Sequence, residues 1–316
     1  MMQKKLFFAD HSGSGQIHAR IWLPDEEPYL GILQVLHGMN EYAGRYQELA
    51  SFLSSRGWVL AAADHLGHGE SIPPGCCVGS LAERNGWQHM LEDIRSFRAI
   101  LQHGFPGLPC FALGHSMGSF LLRELQLREP WAYAGIILSG TGSYGPRLCS
   151  LGLFLLRCLS LLKGKHGHSP FLHKAILSFC NYPFRKEGHP LAWISRDQEL
   201  CCLHAADPLC SYYPDLDFYA ELLRGLRHVE RCERASHPCR ELPILLLSGR
   251  EDAVGAWGHG VSRVYRRLCS GGASVEMLLY PGGRHEMIHE TNREEVFQDV
   301  LEWLNACLAA ALSKKE

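Results

Sequence analysis

Eight short apolar runs punctuate the chain. Lys5 to Ala9 and Gln16 to Leu23 flank a turn-rich HSGSG and predict a hairpin. GILQVLHG at 31–38, WVLAAAD at 58–64, PCFALGHS at 109–116 and GIILSG at 135–140 follow. ILLLSG at 244–249 and SVEMLLYP at 274–281 come late. The later runs are nearly continuous in apolar residues, as in strands buried on both faces of a parallel sheet. Between them, Leu81 to Gln102, Ser116 to Leu127 and Arg293 to Leu312 carry apolar residues at helical spacing. Strand and helix in repeated alternation predict an α/β architecture with right-handed crossovers.

The alternation stops between about 142 and 240. That stretch is rich in Leu, His, Cys and Pro and has no convincing buried strand. We expect an α/β core built from 1–141 and 241–316, with 142–240 inserted as a helical cap.

Composition narrows the class. The chain has 316 residues, 46% hydrophobic and 20% charged, enough for a large core and unlike a disordered chain. The net charge is −2 and no long basic run occurs, so nucleic acid is not an expected partner. Asp10 and His11 end the first apolar run too early for a signal peptide, and no apolar stretch of about 18 residues is present. The thirteen cysteines include two adjacent pairs but no Cys-x-x-Cys, which fits reduced thiols and a cytoplasmic location. Neither a cofactor nor a metal is expected.

The candidate chemistry lies at strand ends. Gly114-His115-Ser116-Met117-Gly118 matches G-x-S-x-G, with a strand running in and the helical SFLLRELQL running out. That context predicts a nucleophile elbow, the mark of the α/β-hydrolase fold. A serine hydroxyl attacks only when a base takes its proton. In this fold the acid and the histidine follow the serine in chain order. ILLLSG leads into Arg250-Glu251-Asp252, and SVEMLLYP leads into Gly282-Gly283-Arg284-His285. Asp252 and His285 are therefore the expected acid and base, with Glu251 and His289 as their neighbouring rivals. The oxyanion donors are expected at the backbone N–H groups of Met117 and of Met39, after the third run. His285-Glu286-Met287-Ile288-His289 also matches the zinc-peptidase pattern H-E-x-x-H. That chemistry needs both histidines on one helical face, and Pro281, Gly282 and Gly283 disfavour a helix here.

Taken together, HGMNEYAGRY at 37–46, DHLGHGES at 64–71, GHSMG at 114–118, SGREDAVG at 248–255 and GGRHEMIHE at 282–290 carry a family likeness. SRDQELCCLHAADPLC at 195–210 adds to it. The chain resembles the monoglyceride lipase and lysophospholipase group of α/β-hydrolases, also labelled serine aminopeptidase-like. The resemblance implies a mostly parallel eight-stranded sheet flanked by helices and an esterase or lipase acting on a monoacyl lipid. It carries over Ser116, Asp252 and His285 as the triad and Met39 and Met117 as oxyanion donors. It also places an aromatic residue at Tyr42. DHLGHGES reads as a structural loop, its Asp and His satisfying local backbone groups.

LCSLGLFLLRCLSLL at 148–162 is too short to span a bilayer and contains one charge, Arg157. It reads either as a buried core helix or as a lid that contacts a membrane surface and admits an acyl chain. The resemblance favours a lid and, with it, peripheral membrane association. Two rival functions stand beside ester hydrolysis. An aminopeptidase of the same fold would need an acidic cap site for a free amino terminus, for which Glu221, Glu230 and Glu233 are the candidates. A non-enzymatic relative would lack part of the triad.

Overall fold

The computed structural model describes residues 1–81, 85–235 and 242–313. Its centre is one eight-stranded sheet, built from β1 (Met2–Ala9), β2 (Gln16–Leu23), β3 (Gly31–Leu36), β4 (Trp58–Ala63), β5 (Cys110–His115), β6 (Ile136–Ser139), β7 (Pro243–Gly249) and β8 (Ser274–Tyr280). The strand order is β1-β2-β4-β3-β5-β6-β7-β8. β1, β2 and β4 pair antiparallel, and every later pairing is parallel.

Apolar residues alternate between the two faces of each inner strand, and each face has its own helices. Ile32, Leu36, Ala112, Ile244 and Leu246 meet α2 (Gly86–Gly104), α3 (Met117–Arg128) and α8 (His259–Ser270) on one side. Leu33, Val35, Phe111, Leu113, Leu245 and Leu247 meet α1 (Gln47–Ser54) and α9 (Arg293–Ser313) on the other. An inner strand that is apolar at every position is what two covered faces require. β8 departs from the expected continuous pattern. It is an edge strand with β7 on one side, and alternate residues along it stay exposed. α1 and α8 went unread in the sequence. α1 has only eight residues, and the arginines of α8 sit among few apolar positions.

Among the described residues, four α-helices lie between β6 and β7: α4 (Pro146–Lys163), α5 (Pro170–Asn181), α6 (Gln198–Ala206) and α7 (Leu216–Ala235). The expected boundary at 240–241 falls outside the described residues, as do 82–84 near the start of the helix expected from Leu81. α7 binds this group to the core. Phe218 and Leu226 join the core cluster, and Gly225 lets α7 approach α2 so closely that a Cβ there would lie 2.1 Å from Trp87. Arg123 of α3 grips Glu233 of α7 through two hydrogen bonds of 2.7 Å, and Arg267 of α8 reaches the same carboxylate at 2.7 Å.

α4 settles the first open reading. Only Cys149 and Leu156 are buried; Leu148, Leu151, Phe154, Leu155, Leu161 and Leu162 are all more than half exposed. It is not a core helix. Among the described residues, no helix is long and apolar enough to cross a membrane.

Candidate active site

Ser116 sits between β5 and α3 with φ 50° and ψ −116°. An L-residue in that region stores about 1–3 kcal/mol of strain and persists only where its surroundings enforce it. Here they do. A Cβ on Gly114 would lie 2.5 Å from the Gly118 carbonyl oxygen, and one on Gly118 would lie 2.0 Å from that of Leu36. The Ser116 N–H donates to Ser139 O on β6 at 2.9 Å, which ties the elbow to the sheet. Gly118→Ala is therefore expected to lower Tm markedly and to abolish turnover, readable by circular dichroism melting and an ester assay.

The structure brings the three expected side chains together. His285 Nδ1 lies 3.0 Å from Asp252 Oδ1, and His285 Nε2 lies 3.0 Å from Ser116 Oγ. A carboxylate can only accept, so Nδ1 carries the proton and Nε2 is left to accept from the serine hydroxyl. Asp252 is fully buried in the turn after β7. Its Oδ1 also accepts from Val254 N–H at 2.8 Å, which fixes the carboxylate. His285 follows β8 through Gly282, whose φ of +69° suits glycine. Trp193 lies against its ring at 5.2 Å between centroids, and His115 at 4.8 Å. Burial works to lower the His285 pKa, but the charge and hydrogen bond of Asp252 oppose it and leave the group above its ordinary value.

The rivals lie elsewhere. Glu251 is exposed. His289 Nε2 donates to Arg45 O at 2.9 Å, and its Nδ1 lies 3.2 Å from Glu286. Met287–His289 form only one 3-10 turn, so His285 and His289 do not share a helix face.

The loop after β3 lies directly over the serine. A Cβ on Gly38 would be 3.1 Å from Ser116 Cβ. Met39 comes next in this loop. Met117 opens α3, so its N–H belongs to the first helical turn and lacks an intrahelical acceptor.

Sequence reasoning missed the groups that hold this loop. Glu41 accepts from Gly38 N–H and, at 3.2 Å, from the Tyr46 hydroxyl. Arg45 reaches Glu41 at 3.2 Å and grips Glu286 with contacts of 3.0 and 2.7 Å. Burial pushes Glu41 above the usual carboxylate range despite Arg45. At Glu286 burial is overcome by Arg45 and His289, which hold it well below. Asn40 stands at φ 59° and donates to Cys210 O and Tyr212 O, both at 2.9 Å. The Tyr42 hydroxyl donates to Asp207 at 3.0 Å. The charged pairs were visible as residue types in HGMNEYAGRY, but nothing in the spacing joined Arg45 to Glu286.

DHLGHGES is structural. Asp64 accepts from Ala43 N–H at 2.7 Å and Glu70 N–H at 2.8 Å, and His37 Nε2 accepts from His65 N–H at 2.8 Å. Burial pushes His65 down to about 3 and His68 down to about 4, so both rings are neutral near pH 7. Beside the site, Arg45, His289, His204 and Asp207, with Leu200 and Leu203, line an open cleft of about 510 Å³ between α1 and α6.

A strained serine elbow at the edge of a mostly parallel eight-stranded sheet, with an acid and a histidine after later strands, defines an α/β-hydrolase. The chain belongs to the serine aminopeptidase S33 family (Hydrolase_4), whose model matches residues 27–292. It is 28% identical over 302 residues to the monoacylglycerol lipase of Mycolicibacterium smegmatis, covering 94% of this chain and 96% of that protein. It is 27% identical to the monoglyceride lipase of Mus musculus, covering 93% of this chain and 88% of that protein. A thermostable carboxyl esterase from Bacillus coagulans, solved with glycerol, superposes with a TM-score of 0.88 at 28% identity, covering 98% of this chain and 99% of the other.

Proposed function

We propose that this protein hydrolyses the ester of a monoacylglycerol or a closely similar monoacyl lipid, with Ser116 as nucleophile, His285 as base and Asp252 as its orienting acid. The chain is a carboxylic ester hydrolase by its relatives. The observation that carries the mechanism is the unbroken line of two 3.0 Å contacts from Asp252 through His285 to a strained Ser116.

The steps follow from that geometry. Ser116 Oγ attacks the ester carbonyl carbon as His285 Nε2 takes its proton. Asp252 stabilises the imidazolium. The oxyanion is held by Met39 N–H and Met117 N–H. The C–O bond then breaks, and His285 returns the proton to the leaving alcohol. Water repeats the sequence on the acyl-enzyme and releases the fatty acid. Because the Met39 donor belongs to the backbone, Met39→Leu is expected to leave kcat largely unchanged. A large fall in kcat with the fold intact would contradict that donor.

The inserted helices are a lid over the site that admits the acyl chain, its exposed apolar side chains facing the lipid phase. The exposed faces of Phe154 and Leu155 support this, while Leu156 points inward to Leu216 and Tyr219. Phe154→Ser with Leu155→Ser should slow hydrolysis of long-chain monoacylglycerol and leave a short soluble ester unaffected. Equal rates on both substrates, before and after the change, would remove the lid from the account.

The aminopeptidase reading is not favoured. Glu221 accepts from Trp87 N–H at 3.0 Å, Glu233 is held by Arg123 and Arg267, and Glu230 pairs with Arg267 at 3.1 Å. All three candidate carboxylates are committed to structure. The deciding experiment compares monoacylglycerols, lysophospholipids, p-nitrophenyl esters and aminoacyl amides with wild type and Ser116→Ala. Turnover of the lipid esters by wild type alone is expected. Turnover confined to the amides would overturn the substrate class.

A further inference from the structure

His285 is held from the cap as well as from the core. Its two chain neighbours, Arg284 and Glu286, both bond to the cap segment between α5 and α6. Arg284 Nη1 donates to Ala192 O at 2.6 Å and to Ser195 O at 3.2 Å, and Glu286 N–H donates to Ile194 O at 2.9 Å. Ser195 Oγ donates to His289 O at 2.9 Å. The residues on either side of His285 are thus tied to those on either side of Trp193. The two rings meet at 5.2 Å between centroids and 31° between planes. Trp193 N–H donates to Asn181 Oδ1 at 3.0 Å, which anchors the segment to the end of α5. The indole Nε1 is buried and has no hydrogen-bond partner among the described residues. What the fold uses of this side chain is its ring face.

We propose that Trp193 is a positioning residue for the base: its indole face holds the His285 ring in line with Ser116 and stabilises the imidazolium that forms as Ser116 attacks. The inference rests on the Ser116, His285 and Asp252 reading and adds a cap residue to it. A cation within about 6 Å of an indole centroid is attracted by the negative face of the ring, most strongly where water is excluded. His285 is buried. The other groups around it act differently. Asp252 after β7 supplies the opposing charge at Nδ1. His115 of β5 meets the ring at 4.8 Å, but burial pushes it well below its ordinary pKa, so it is neutral. Glu41 in the loop after β3 and Glu286 beside His285 also favour the imidazolium, and both are already paired with Arg45. The cap segment brings no charge next to Trp193, which Ala192 and Ile194 flank.

The test compares wild type, Trp193→Phe and Trp193→Leu in the rate at which an alkyl fluorophosphonate labels Ser116, measured against pH. Steady-state kinetics on a soluble p-nitrophenyl ester run alongside, and circular dichroism melting reports the fold. Trp193→Leu is expected to label about tenfold more slowly on the alkaline plateau, with its acid limb about one pH unit lower, because tenfold in imidazolium stability is one unit of pKa. Its kcat should fall in step while KM stays within about twofold, since the contact strengthens only as charge develops. Trp193→Phe keeps an aromatic face that attracts a cation less than indole does, so its rate and limb should lie between the two. Slower labelling with an unmoved limb, in either variant, would mark a packing role and overturn the inference. A wild-type rate and limb in Trp193→Leu, or a Trp193→Phe no better than Trp193→Leu, would also overturn it. Wild type that takes no label at Ser116 would instead contradict the triad reading, and the inference would fall with it.

Discussion

Ser116→Ala is expected to lower kcat for ester hydrolysis by about a million-fold, the loss seen when a triad nucleophile is removed. The protein should remain folded. Ser116 Oγ contacts only His285 among the hydrogen bonds of the site, and the elbow is held by the backbone and by Gly114 and Gly118. Tm should therefore stay near that of the wild type. The small residual rate would come from the oxyanion donors and from substrate binding. A variant that kept wild-type turnover on any lipid ester would show that the nucleophile lies elsewhere.

Asp252→Asn should lower kcat by about ten-thousand-fold, because an amide can face His285 Nδ1 with either its oxygen or its N–H and so permits the wrong tautomer. It should also move the pH profile. His285 must be neutral to accept the Ser116 proton, so activity rises with pH through the His285 pKa. In the wild type, burial is outweighed by Asp252, and the acid limb should lie above the ordinary histidine value of 6.5. Without the carboxylate charge, burial acts with less opposition and the limb should shift to lower pH. Measuring kcat/KM against pH for both proteins checks the sign. A limb that moved upward in Asp252→Asn would contradict the assigned electrostatics.

The sheet and the candidate triad were legible in the sequence for a common physical reason. Inner strands such as ILLLSG are nearly continuous in apolar residues because both faces are covered, and chemistry-bearing residues sit where those strands stop. Ser116 and Asp252 lie just past the ends of such inner runs, and His285 lies in the loop after the edge strand β8. β8 misled the pattern because an edge strand tolerates apolar residues that stay half exposed. α1 was hidden by its brevity and α8 by its arginines. Asn40, Glu41, Arg45 and Glu286 could not be joined from sequence. Arg45 and Glu286 lie 241 residues apart and meet only once the sheet has closed. The exposure of α4 was equally illegible, since LCSLGLFLLRCLSLL has the composition of a core helix. α7 packs against one side of α4, where Leu156 meets Leu216 and Tyr219, and the opposite side carries the exposed Leu151, Phe154, Leu155 and Leu162.

The central claim is that Ser116 forms a covalent bond to the acyl carbon of an ester substrate. The most direct measurement is peptide mass mapping after incubation with an alkyl fluorophosphonate, alongside residual ester turnover. One adduct, on the peptide that contains Ser116, forming in step with loss of activity, is the expected result. Full loss of turnover with the adduct on another residue, or full turnover with Ser116 modified, would contradict the claim.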